Sequence, residues 1–209
     1  MNKKLKYFIF GSLGFVFFVF FSYLVHKNLF IQTEFNITVR LQDNISRRFD
    51  EFFSALSDIG IFEIMLGVLM IILIFLKKIR GIIVLGFFGL FHVIELYGKF
   101  FVNHLPPPEF MLRTEKVFNF PQYYVRTQNS YPSGHAGRAG FISLFLGLVV
   151  WKSKKLSKMQ KYLIIGFLVI YNIAMFVSRI YLGEHWVTDV IGGAILGASL
   201  SLMSFAFIY

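Results

Sequence analysis

The chain alternates long apolar runs with short polar interruptions. Tyr7 to Val25, Ile59 to Leu76, Gly81 to Gly98, Gly137 to Trp151, Tyr162 to Val177 and Val187 to Tyr209 are the apolar runs. Each approaches the ~20 residues that carry a helix across a bilayer. Six of them in 209 residues leave little chain to cover them as a soluble core. The pattern therefore predicts an all-α, polytopic membrane protein. Its architecture would be a six-transmembrane-helix bundle forming a single membrane-embedded domain over residues 1–209. The first run is longer than a signal-peptide core and lacks an A-x-A-like cleavage site, so it is expected to stay as a span. Gly192, Gly193 and Gly197 in the last run are small enough to let helices approach closely.

The polar interruptions set an orientation. Lys3, Lys4 and Lys6 precede the first run; Lys77, Lys78 and Arg80 join the second to the third; Lys152, Lys154, Lys155, Lys158 and Lys161 join the fourth to the fifth. With six spans these eleven basic residues share one side, and all 11 acidic residues lie elsewhere. By the positive-inside rule that side is cytoplasmic, which puts the N-terminus in the cytoplasm of a cell-membrane protein. Three segments remain for the outer face: His26 to Asp58, Lys99 to Ala136, and a short turn near Ser178 to Trp186. Phe35 to Phe53 mixes apolar residues with Arg40, Asp43, Arg47, Arg48 and Asp50, and reads as an amphipathic helix on the membrane surface. Trp151 and Trp186 fall where interfacial aromatics collect.

Composition agrees. Hydrophobic residues make up 56% and charged residues 15% of the chain, against about 25% charged in soluble domains. The net charge of +10 would suit nucleic acid. Its concentration in short cytoplasmic loops makes it a topology signal and a contact for anionic lipids, so no nucleic-acid partner is expected. Cysteine is absent, which removes thiolate metal sites and disulfides.

Chemistry collects on the outer segments. Tyr131-Pro132-Ser133-Gly134-His135 opens the fourth span. Ser133 offers a hydroxyl, the backbone around Gly134 can turn N–H groups to an anion, and a helix N-terminus favours bound phosphate. His135 can exchange a proton near neutral pH. Arg179 ends the fifth span, Gly183 permits a tight turn, and His185 opens the sixth with Asp189 four residues later on the same helical face. That spacing lets the carboxylate hold one imidazole nitrogen as N–H and frees the other as a nucleophile. Arg179 presents a guanidinium matched to phosphate oxygens. Lys99 ends the third span on the same face. Two histidines in a cationic, donor-rich cradle suit phosphoryl transfer through a phosphohistidine, with no metal or other cofactor. The residues alone do not say which histidine attacks, although the Asp189 spacing favours His185.

These residues resemble the type 2 phosphatidic acid phosphatase family of membrane lipid phosphatases. Its pattern is K-x6-R-P, then P-S-G-H, then S-R-x5-H-x3-D. Pro132-Ser133-Gly134-His135 matches the second motif; Ser178-Arg179, His185 and Asp189 match the third. A four-position match has a chance of roughly one in a thousand in a chain of this length, and here two occur in order. The resemblance implies that His185 attacks phosphorus, Asp189 orients it and His135 protonates the leaving oxygen. It implies that Lys99, Ser133, Gly134 and Arg179 bind the phosphate oxygens. It implies a six-span fold with an extracytoplasmic site and hydrolysis of a lipid phosphate or diphosphate: undecaprenyl diphosphate, phosphatidylglycerophosphate or phosphatidate. A lipid phosphotransferase with the same intermediate and a non-catalytic lipid-binding or transport protein are the alternatives.

The first motif departs from the pattern. Pro106 stands where Lys99 calls for an arginine. Arg113, Arg126 and His104 are candidate replacements, with Arg126 placed ahead because it lies seven residues before Ser133. Lone histidines usually serve local structure, and that is the expectation for His26, His92 and His104. Glu95, four residues before Lys99, is placed to pair with it. Arg138 is expected to face lipid headgroups.

Overall fold

The computed structural model describes residues 3–76, 80–114 and 128–208. Among these residues the structure is helical, with eight α-helices. They are α1 (Lys3–His26), α2 (Ile31–Asn44), α3 (Asp50–Ile59), α4 (Phe62–Leu76), α5 (Gly81–Phe101), α6 (Gly134–Lys152), α7 (Lys158–Tyr181) and α8 (Val187–Ile208). Five of them, α1 and α5 to α8, are long and apolar enough to cross a membrane. The run from Ile59 to Leu76 gives a shorter helix than its sequence implies. At about 1.5 Å per residue, α4 reaches roughly 22 Å, less than a ~30 Å hydrocarbon core. It qualifies as a span only together with the segment Arg47–Ile59, from which it is bent by 52°.

α8 is the central helix and packs most extensively against α1 and α6. Glycine makes this possible. A Cβ on Gly193 would strike the Ser133 carbonyl, and one on Gly197 would strike the Gly137 carbonyl. The α6 and α8 backbones therefore touch, as the small residues of the last run suggested. Phe88, Phe91, Phe141, Phe145, Leu196, Leu200 and Phe205 fill the interior beside them. α1 and α7 show the reverse pattern. Phe10, Phe17 and Phe20 of α1 and Leu163, Phe167 and Ile170 of α7 are exposed. An apolar exterior of this extent is suited to lipid rather than water.

The surface helix expected over Phe35 to Phe53 is two helices, α2 and α3, with a break after Asn44 and a 3-10 turn at Arg47–Phe49. Their polar faces point inward. Glu34, Thr38 and Gln42 of α2 are buried at helical spacing, as are Asp50, Ser54, Ser57 and Asp58 of α3. Ile31, Phe35, Phe52 and Ile59 are exposed. Gln42 Nε2 donates to the carbonyls of Met111 (2.7 Å) and Tyr181 (2.8 Å), which fastens α2 to the end of α7. Buried polar groups need partners: Thr188 of α8 donates to Glu34, and Tyr181 and Arg179 of α7 donate to Asp50 and Ser57.

A capping box starts α7: Ser157 Oγ accepts from Gln160 N and Gln160 Oε1 accepts from Ser157 N. Trp151 is exposed at one end of α6. Trp186 lies just before α8, at a span end as expected, but packs inward. It is buried, and its Nε1 donates to the Leu105 carbonyl at 2.8 Å. A buried indole N–H needs such an acceptor.

Candidate active site

Four helix ends build the site: the C-terminal ends of α5 and α7 and the N-terminal ends of α6 and α8. Ser133 caps α6 in extended conformation, and its backbone N–H donates to the Asp189 carbonyl at 2.9 Å. That bond ties the start of α6 to the first turn of α8. Ser133 Oγ is fully buried and makes no hydrogen bond among the described residues. The first N–H groups of a helix lack intrahelical partners. A buried hydroxyl beside such donors is an anion cradle in need of an acceptor. Gly134 has no room for a side chain, because Glu95 lies where its Cβ would be. His135, also buried, sits against Gly60 at the α3–α4 break; a Cβ there would come within 2.9 Å of the imidazole Cδ2.

Asp189 holds His185 as the spacing suggested. Oδ2 is 3.2 Å from His185 Nδ1 and accepts from the Trp186 backbone N–H at 3.0 Å. Nδ1 bound to a carboxylate carries the proton, so Nε2 keeps its lone pair. The turn before it closes on the Arg179 carbonyl, which accepts from Glu184 N and His185 N. Gly183 adopts φ +69°, and Met111 O lies where a Cβ would stand. Only glycine takes this turn without strain.

Burial pushes the His185 pKa below its ordinary value. The hydrogen bond and charge of Asp189 oppose this, while the charges of Arg179 and Lys99 add to the lowering. A neutral imidazole is the nucleophilic form.

Arg179 is fully buried, with its guanidinium on Ser57 Oγ and the Glu184 carboxylate. Thr114 Oγ1 donates to Glu184 Oε1 at 2.5 Å. Lys99 Nζ pairs with Glu95 Oε1 at 3.2 Å, the pairing that their spacing allowed. Glu95 Oε2 also meets His92 Nδ1 (3.1 Å) and Arg138 Nη1 (3.3 Å).

Several assignments change. Arg138 does not face headgroups. It is buried, bound to Glu95, and donates from Nε to the Gly60 carbonyl at 2.9 Å. A charged group near a span end is costly in lipid and turns inward to partners. Among the proposed replacements for the missing arginine, Arg113 lies over the Tyr181 ring (5.1 Å) and donates to the Ile45 carbonyl (3.4 Å). Arg126 lies outside the described residues. His26 keeps a local role as acceptor for Asn103 N at 3.1 Å. His92 braces Glu95. His104 does more than its isolation suggested, because it is buried beside Asp189. Sequence reading also missed Ser57, Glu184 and Glu34. The inward face formed by Glu34, Thr38 and Gln42 is readable at helical spacing, but the spacing does not say against what it docks.

The fold and the site together define a class: polytopic α-helical membrane proteins with a carboxylate-held histidine and a buried arginine beneath a helix N-terminus. The model of the PAP2 superfamily matches residues 70–209. The chain belongs to that superfamily. An undecaprenyl-diphosphatase of Sulfolobus acidocaldarius is 33% identical over 103 residues, which is 46% of this chain and 44% of that protein. The match thus spans less than half of that curated relative. A transmembrane PAP2 type phosphatidylglycerolphosphate phosphatase from Bacillus subtilis shares the fold, with a TM-score of 0.75 at 21% identity over 93% of both chains. Aquifex aeolicus LpxE shares it with a TM-score of 0.61 at 22% identity, over 81% of this chain and 93% of its own.

Proposed function

We propose that this chain is an integral membrane lipid phosphatase that hydrolyses a phosphate monoester or diphosphate of a lipid through a phosphohistidine. The observation that carries the reading is the His185–Asp189 pair, with the buried Arg179 on the same turn and the α6 cap Ser133 bonded to the Asp189 carbonyl. In this mechanism His185 Nε2 attacks phosphorus in line with the leaving oxygen. Asp189 keeps Nδ1 protonated and stabilises the imidazolium that forms on attack. His135 gives a proton to the leaving alkoxide or phosphate, then takes one from the water that hydrolyses the phosphohistidine. Ser133 Oγ, the N–H groups at Gly134, Arg179 and Lys99 bind the equatorial oxygens, where charge is spread in the transition state. Glu184 and Glu95 hold Arg179 and Lys99 in place before substrate arrives.

The basic loops support a cytoplasmic N-terminus and a site at the extracytoplasmic face. An outward site suits undecaprenyl diphosphate, phosphatidylglycerophosphate and phosphatidate alike; we place the polyprenyl diphosphate first. The apolar outer faces of α2 and α3 beside the site suit an acyl or prenyl tail approaching from the bilayer.

A phosphate-release panel over these three lipids in detergent, with and without a chelator, tests the proposal. Release from at least one lipid, unchanged by chelator, is expected. Loss of activity with chelator contradicts the metal-free mechanism. Transfer of label to a second lipid instead of water would indicate the phosphotransferase. The incomplete motif at Pro106 favours a non-catalytic lipid transporter a little, and the intact His135, His185 and Asp189 oppose it more strongly; failure on every lipid would bring that reading forward.

A further inference from the structure

Asp189 has two carboxylate oxygens, and the pairing with His185 uses one. The other, Oδ1, is buried and makes no hydrogen bond among the described residues. It faces His104, whose Nε2 stands 3.4 Å away. The same nitrogen is 3.4 Å from Glu34 Oε1 and 3.3 Å from Thr188 Oγ1. Thr188 Oγ1 in turn donates to Glu34 Oε1. Glu34, His104, Thr188 and Asp189 are all buried, with 1%, 4%, 4% and 0% of their surface exposed. They come from α2, the segment after α5, and α8. The Tyr131 ring closes the fourth side, 6.4 Å from the imidazole and nearly perpendicular to it.

The backbone around His104 is held on both sides. His104 N donates to Asn129 Oδ1 at 3.1 Å, and Ser130 N and Oγ both donate to its carbonyl. Asn129 Nδ2 reaches the Lys99 carbonyl, and Trp186 Nε1 holds Leu105. The imidazole is thus fixed in register with both Lys99 and the start of α8.

Two buried carboxylates facing one another are unfavourable when both are charged. An imidazolium between them removes the conflict. We infer that His104 is a positioning residue for the His185–Asp189 pair: set between Glu34 and Asp189, it holds the Asp189 carboxylate in place, so that Oδ2 keeps orienting His185. This rests on the phosphatase reading above. Burial works against the charged form of His104. The hydrogen bond to Glu34 and the charges of Asp189 and Glu34 outweigh burial, and its pKa is raised. His104 touches no reacting atom and acts only through Asp189. Partners of this kind behind a functional histidine typically change activity by about 10- to 100-fold when removed.

The test is the pH profile of phosphate release from the panel lipid that the wild-type chain hydrolyses fastest. His104→Ala leaves Glu34 and Asp189 facing each other with no cation between them. That withdraws a cation from the surroundings of His185 and raises the pKa of its imidazole. The expected result is a kcat lower by about 10- to 100-fold and an acid limb of kcat/KM moved up by about one pH unit or more. The double variant Glu34→Gln/His104→Ala removes the stranded charge, so its acid limb should return toward wild type and part of kcat should recover. A normal limb in His104→Ala overturns the inference. So does a double variant no better than the single one, because that outcome marks a packing defect. Thermal midpoints of all variants identify loss of fold. A wild-type chain inactive on every panel lipid removes the phosphatase reading and this inference with it; an active wild type with unshifted variants removes only the inference.

Discussion

One oxygen of Asp189 accepts from both His185 Nδ1 and the Trp186 N–H, and this double acceptance sets the imidazole tautomer. Asp189→Asn offers an amide in place of that acceptor and lets the proton move to Nε2. The expected cost is about 10²- to 10⁴-fold in kcat, with KM little changed. His185→Ala removes the proposed nucleophile and is expected to lower kcat by about 10⁴-fold or more. Substantial remaining turnover would reject the assignment. The pH profile carries a further sign. A His185 pKa below its ordinary value keeps the ring neutral into mildly acid solution. The acid limb of kcat/KM should therefore lie below about pH 6.5. Lys99→Gln removes a cation that disfavours imidazolium, so the limb should rise. A limb that falls, measured by initial rates at saturating and limiting substrate, contradicts this electrostatic account. That Ser133, Gly134 and His135 open α6, and that Arg179, His185 and Asp189 flank one short turn between α7 and α8, was legible from sequence because each motif is short and contiguous. Glu34 and His104 were not, because their meeting depends on α2 folding its polar face inward. Arg138 was misread for a physical reason: a charge at this depth is drawn to Glu95 rather than outward.

Among the elements, α6 and α8 decide whether the site exists. Their backbones meet at Gly193 and Gly197, and a side chain at either position must part them. Gly193→Ala pushes on the Ser133 carbonyl, the residue that caps α6. Overpacking of this kind costs about 1–3 kcal/mol. We expect a lower thermal midpoint in detergent together with reduced activity. Gly86→Ala on exposed α5 surface, where a Cβ meets nothing within 4 Å, should leave both unchanged. Equal behaviour of the two variants would show that the close approach is unimportant. The long apolar runs announced these helices, since hydropathy alone marks a span. The run from Ile59 announced its span incompletely. The break at Gly60, which brings backbone against His135, carries no hydropathy signal.

At the scale of the molecule, a bundle of lipid-facing helices holds one polar end. The absence of cysteine makes its orientation easy to read. Ser153→Cys lies in the basic loop, and Asn44→Cys is exposed at the end of α2. A membrane-impermeant thiol reagent should label Asn44→Cys in intact cells and Ser153→Cys only after permeabilisation. The reverse pattern would invert the proposed topology. The central claim is that phosphate passes through His185, and trapping that intermediate tests it most directly. The chain would be mixed with a panel lipid labelled in its phosphate, quenched in alkali and digested. The account predicts an acid-labile, alkali-stable label on the peptide containing His185, absent from His185→Ala and enriched in His135→Ala if loss of its base function slows hydrolysis of the intermediate more than formation. Label on any other residue, or equal labelling of His185→Ala, would contradict it.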